Sequence, residues 1–96
     1  MFVQLIEFST DRIEEGRAAV EEYREATEGR RTATRGILAQ DRDNPGKYVN
    51  IVFFPSYEDA MKNSEMPETQ KLSMTLMGLG SGEPRFINLD VIDDRD

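Results

Sequence analysis

Apolar positions follow two rhythms along this chain. From Phe2 to Phe8 the period is two, with Val3, Leu5 and Glu7 on one side and Phe2, Gln4, Ile6 and Phe8 on the other, which predicts a first strand. From about Arg12 to Glu28 the period is helical. Ile13, Gly16, Val20, Tyr23 and Thr27 form a stripe with Ala19 and Ala26 beside it, while Glu14, Glu15, Glu22, Glu25 and Glu28 lie off it. Asp11 and Glu14 have the spacing of a reciprocal N-terminal cap, and Gly29 supplies a left-handed stop. Gly16 costs this helix about 1 kcal/mol relative to Ala, so its place on the apolar stripe predicts close approach to a sheet.

Thr32 to Gln40 reads as a second strand, with Gly36 marking a bulge or a close backbone neighbour. The turn residues Asp41-Arg42-Asp43-Asn44-Pro45-Gly46 then predict a hairpin into a third strand, Tyr48 to Phe54. Pro55 stops that ladder, and Ser56 with Asp59 marks a capped helix start. A short helix from Tyr57 to Asn63 turns Tyr57, Ala60 and Met61 inward. Pro67 restarts a helix that carries Leu72, Leu76 and Leu79 as its buried stripe and ends at Gly78, Gly80 and Gly82. Arg85 to Ile92 is the last strand, and Asp93 to Asp96 a solvated tail. The order β-α-β-β-α-α-β predicts one α+β domain over residues 1–96: a ferredoxin-like four-stranded antiparallel sheet with helices on one face.

Strand parity divides that sheet. Val3, Leu5, Val49, Ile51, Phe53, Ile87, Leu89 and Val91 are uniformly apolar, apart from Glu7, and are assigned to the helix-covered face. Phe2, Gln4, Ile6, Phe8, Tyr48, Asn50, Val52, Phe54, Phe86, Asn88, Asp90 and Ile92 form a mixed face. It is too apolar to meet water over a single-layer sheet, and no segment remains to cover it. A second copy of the chain is the expected cover, giving a homodimer with a partly closed barrel between the sheets.

Composition narrows the chemistry. The 96 residues include 12 Lys and Arg against 19 Asp and Glu, a net charge of −7. Phosphate backbones need clustered cations, and Arg30-Arg31 is the only adjacent basic pair, so nucleic acid and anionic membrane are not expected partners. There is no His, Cys or Trp. That removes thiolate nucleophiles, disulfides, imidazole bases, histidine-bound metal and an axial histidine for haem. The helix-one glutamates read as a solvated face, so no metal and no cofactor is expected. The N-terminus lacks a basic segment and a long apolar run, predicting neither signal peptide nor membrane span, and a cytoplasmic location.

The layout, with Asn50-Ile51-Val52-Phe53-Phe54-Pro55-Ser56-Tyr57-Glu58-Asp59-Ala60-Met61, Asn63-Ser64, Pro67-Glu68-Thr69 and Phe86-Ile87-Asn88-Leu89-Asp90-Val91, resembles the dimeric α/β-barrel superfamily. It is most similar to the antibiotic-biosynthesis-monooxygenase-like branch. The resemblance spans nearly the whole chain, and its motifs are structural joints rather than catalytic signatures. It implies the fold, a dimer, and either cofactor-free oxygenation of an aromatic or polyketide-like substrate or a small protein with no assigned reaction. Haem degradation and tryptophan-assisted monooxygenation are not implied, since the His and Trp they use are missing.

On the mixed face, Asn50, Asn88 and Asp90 are the candidate catalytic groups, positioning a substrate or moving a proton, with Gln4, Phe8, Tyr48, Phe54 and Phe86 as candidate pocket residues. Each has a plainer reading. Asn88 and Asp90 also suit strand ends or rim water, and Gln4 and Asn50 bonds across a dimer. Tyr48 suits hairpin packing. Met61, Met66, Met74 and Met77 suit gap filling as well as an adaptable pocket. Arg35 and Arg85 suit ion pairs at strand ends as well as an anion. Two functions remain open: a cofactor-independent monooxygenase-like enzyme, and a non-catalytic dimeric binding or structural module.

Overall fold

A computed structural model describes residues 1–95. The chain runs β1 (Phe2–Ser9), α1 (Ile13–Ala26), β2 (Arg35–Gln40), β3 (Lys47–Phe54), α2 (Tyr57–Glu65), α3 (Pro67–Leu79) and β4 (Arg85–Asp90). The four strands form one sheet in the order β2-β3-β1-β4, antiparallel throughout, which is the ferredoxin-like arrangement the element order predicts.

Local chemistry explains most boundaries. The Ser56 hydroxyl accepts the Asp59 backbone N–H over 3.1 Å and donates to the Asp59 carboxylate, capping α2 as expected. The hairpin turns on Asp41, whose carboxylate accepts the Asp43 N–H (2.9 Å) and the Asn44 amide (3.1 Å), with Gly46 at φ +92°. Four local expectations change. Tyr57, expected to turn inward, is 51% exposed and only edges against the Phe2 ring. The α1 cap is Arg12, and its backbone N–H is accepted by Thr10 Oγ1 at 2.9 Å rather than by Asp11. No bulge forms at Gly36, which pairs in plain register with Val52. Gly16 is buried against a helix rather than the sheet, because a Cβ there would stand 3.6 Å from Leu76 of α3.

The larger correction concerns the two faces. The helices lie over the mixed parity. Phe2 and Phe54, the residues paired at one end of the β1–β3 ladder, are buried with Ala60 of α2, and Val52 and Met61 pack against them. Ile6, Phe8, Asn50 and Phe86 lie beneath α1 and α3. Val3, Leu5, Ile37, Ile51, Phe53, Ile87 and Leu89 therefore point away from the helices. Val3 is buried among its neighbours, Leu89 is 42% exposed and the others are half-buried. Both parities of the inner strands are apolar, so period-two patterning cannot choose between them.

Polar side chains lock the helices to one another. Tyr23 of α1 shares a hydrogen bond with Thr69 of α3 (2.9 Å) and accepts one from the Asn63 amide of α2 (3.1 Å). Asn63, 7% exposed, turns its carbonyl oxygen to the Thr32 N–H at 3.2 Å. One buried carboxamide thus ties α1, α2, α3 and the β2 approach together, and its polar atoms are satisfied as burial demands.

Candidate functional site

The antiparallel register places Asn50 of β3 opposite Ile6 of β1, Ile6 opposite Phe86 of β4, and Leu38 of β2 opposite Asn50. One row across the sheet thus reads Leu38, Asn50, Ile6, Phe86: three apolar side chains and one amide. Phe8 stands one step along the same face of β1. This row floors a cleft of about 300 Å³ roofed by Ile13, Gly16 and Val20 of α1 and Leu76 and Leu79 of α3.

Two features open the cleft. Gly16 removes a side chain where α1 meets α3. The outer strands are also only partly covered, leaving Leu38 43% and Phe86 57% exposed. An apolar cavity with few polar groups is the usual form of a small-molecule site.

Asn50 is the polar group of the floor. It is half-buried, and its carboxamide makes no hydrogen bond to any other described residue. The remaining polar contributors are Thr10, which is buried, and Ser73, Arg12, Arg17 and Glu21, which are exposed around the mouth. Thr10 is committed to the fold, donating to the Leu79 carbonyl over 2.8 Å. Arg12 meets Glu15 at 2.5 Å and Arg17 meets Glu14 at 3.3 Å, both exposed pairs one turn apart on α1. The hydrogen bond that Arg12 donates to Glu15, followed by the Glu15 charge, raises the Arg12 pKa above the usual guanidinium value.

Among the residues singled out from sequence, Asn50, Phe8 and Phe86 line the cleft together. Tyr48 stacks on Phe8 with ring centroids 5.7 Å apart, bracing it from the opposite position on β3. Gln4 and Asn88 bond to each other at 3.2 Å and stand outside the lining. Asp90 is exposed at the end of β4 opposite Phe2, and Phe54 is buried in the packing beside α2. Sequence reading missed the helix wall. Its signal was present in Gly16 and Val20, which lie on the stripe already read as buried, but with the faces exchanged that stripe lay on the wrong side of the sheet.

No protein-family model and no curated protein matches the chain. Solved structures do. An antibiotic biosynthesis monooxygenase superposes with a TM-score of 0.78 at 15% identity, covering 97% of this chain and 100% of that one. SnoaB, a cofactor-independent oxygenase from Streptomyces nogalater, gives 0.79 at 16% identity over 97% and 94% of the two chains. Rv0793 from Mycobacterium tuberculosis gives 0.80 at 13% identity over 99% and 98%. The resemblance expected from sequence holds for the fold along essentially the whole chain, and identities this low establish the fold alone. Among the described residues, no helix is long and apolar enough to cross a membrane.

Proposed function

We propose that this chain binds a small aromatic or polyketide-like molecule in the cleft between the sheet and helices α1 and α3, and oxygenates it without a cofactor. The observation that carries the reading is the Asn50 amide, which has no partner and sits among Ile6, Phe8, Leu38 and Phe86. An apolar floor grips a ring, and one free amide donor meets a single oxygen on it.

The chemistry suited to this arrangement needs little from the protein. An electron-rich phenol or enol reacts with oxygen through its own anion. The Asn50 N–H, hydrogen-bonded to the developing oxyanion in a partly dehydrated cleft, favours that anion, and the proton leaves to water at the open mouth. In anthrone, the enolate carbon forms a bond to one oxygen atom. The O–O bond then breaks, the second oxygen leaves as water with the two hydrogens lost from that carbon, and a quinone results. The substrate supplies the electrons. Asn88 and Asp90, standing outside the cleft, take no part.

The chain acts as a single cytoplasmic domain paired with a second copy through the open face of its sheet. With the helices on the mixed face, it is the opposite, more apolar face that needs cover: Leu5, Ile37, Ile51, Phe53 and Ile87 are exposed to solvent in part there. Arg35, lying 5.8 Å from the Phe53 ring, and the Glu7–Arg85 pair at 3.8 Å add polar groups towards its margins, the pattern of an interface with an apolar centre and charged rim.

Anthrone oxidation followed in an oxygen electrode tests the reading. Oxygen uptake and quinone formation above the uncatalysed rate, lost in Asn50→Leu, support it. Calorimetric binding of anthrone with no oxygen uptake would favour the non-catalytic module instead.

A further inference from the structure

The mouth of the cleft carries two arginines in a chain whose net charge is −7. Such a chain repels anions at long range, so a negatively charged ligand enters only where cations are gathered locally. Arg12 and Arg17 stand together there, at the start of the helix that roofs the cleft; Glu21 is the one acidic residue in the lining, and Asp11, Glu14 and Glu15 flank the pair outside it.

From this geometry we infer that the cleft takes an aromatic acid, its ring over Phe8 and Phe86 and its carboxylate at the mouth against Arg17 and Arg12. The inference rests on the binding reading above and specifies the substrate class. Each guanidinium has five N–H donors. Arg17 reaches Glu14 through Nη1 and Arg12 reaches Glu15 through Nη2, so each retains free donors. Those pairs are weak attachments: the side chains of Arg12, Glu15, Arg17 and Glu14 are 50%, 58%, 62% and 78% exposed, and exposed ion pairs contribute little net energy. A carboxylate held by an apolar ring beside the helix displaces or joins the glutamates at small cost. Guanidinium also matches carboxylate in a planar, two-bonded geometry that an ammonium lacks. Asn50 and the arginines thus address different ends of one molecule, the amide its ring oxygen and the guanidinium its acid.

Calorimetric titration of the full chain with a naphthol and with the corresponding hydroxynaphthoate tests this. The acid is expected to bind roughly two- to fivefold more tightly at low salt, the scale of one favourable exposed ion contact, with the gap closing as salt rises. Arg17→Gln and Arg12→Gln should each narrow the gap by weakening hydroxynaphthoate binding more than naphthol binding. Glu14→Gln, which frees Arg17, should widen it, an outcome that a merely structural role for the pair does not produce. Equal binding of the two probes, or a gap untouched by all three substitutions, would overturn the carboxylate inference and leave the cleft reading standing. Failure of both probes to bind would remove both.

Discussion

Gln4 and Asn88, opposite each other on β1 and β4, spend their amides on one another, with Gln4 Nε2 donating to Asn88 Oδ1 over 3.2 Å. Asn50, on the same side of the sheet, has no such partner and lies within the cleft lining, whereas Gln40, also unpaired, is exposed at the end of β2 outside it. The difference is one of position. Asn50 lies across from Ile6 and Leu38, neither of which offers a polar atom.

Asn50→Leu should therefore weaken binding of a phenolic ligand about tenfold or more, the scale of a hydrogen bond to a charged or developing oxyanion. Asn88→Ala should change it less than twofold. Calorimetry on the two variants separates them, and equal losses would argue against a distinct role for Asn50.

Asp90 is exposed in line with Phe2, away from the cleft. Asp90→Asn is expected to leave anthrone oxidation within about twofold of the parent rate, since a surface carboxylate outside the cleft touches no reacting atom. A loss of turnover at unchanged folding would return Asp90 to the reaction.

Asn63 should prove the most costly polar residue to remove. Asn63→Ala leaves the Thr32 N–H without its acceptor and the Tyr23 hydroxyl without one donor, at about 1–3 kcal/mol for a buried group left unsatisfied. Urea unfolding measures the loss. A change below about 0.5 kcal/mol would show that water replaces the amide.

Leu89→Arg places a charge on the open sheet face at a site 42% exposed in the single chain, so the fold should tolerate it. Light scattering should report a dimer for the parent and a shift towards monomer for the variant. A parent that is monomeric at micromolar concentration would contradict the proposed pairing.

Acid should loosen the β2–β3 hairpin first. The Asp43 backbone N–H, then the Asn44 amide, hold the Asp41 carboxyl below the ordinary aspartate range, and an Arg30 hydrogen bond does the same for Glu68. A carboxyl with a depressed folded-state pKa contributes stability at pH values above its unfolded pKa. That contribution falls away as pH drops through the lowered folded value. Amide exchange in the turn should accelerate below the ordinary aspartate range, and Asp41→Ala should remove that dependence without affecting the Arg30–Glu68 contact.

Much of the fold was legible because its signals are local. The Ser56–Asp59 cap, the Asp41 turn and the Pro67 restart each depend on residues a few positions apart, and each forms as read. Asn50, Phe8 and Phe86 were legible as members of one face because side chains alternate strictly along a strand. Which layer that face meets was not legible. Ile51 and Val52 are equally apolar neighbours on β3, and no property of either says which one turns towards a helix.

Sequence alone therefore determined the element order, the antiparallel sheet, the amphipathic helices and the absence of His, Cys and Trp that limits the chemistry. These follow from periodicity and composition, which each stretch carries by itself. Tertiary structure decided which face the helices cover, paired Gln4 with Asn88, set Gly16 against Leu76 and left Asn50 alone beneath a cleft. Those outcomes depend on the register between strands far apart in the chain and on how helices seat over it. A site made of what remains unpaired can be known only once every pairing is in place.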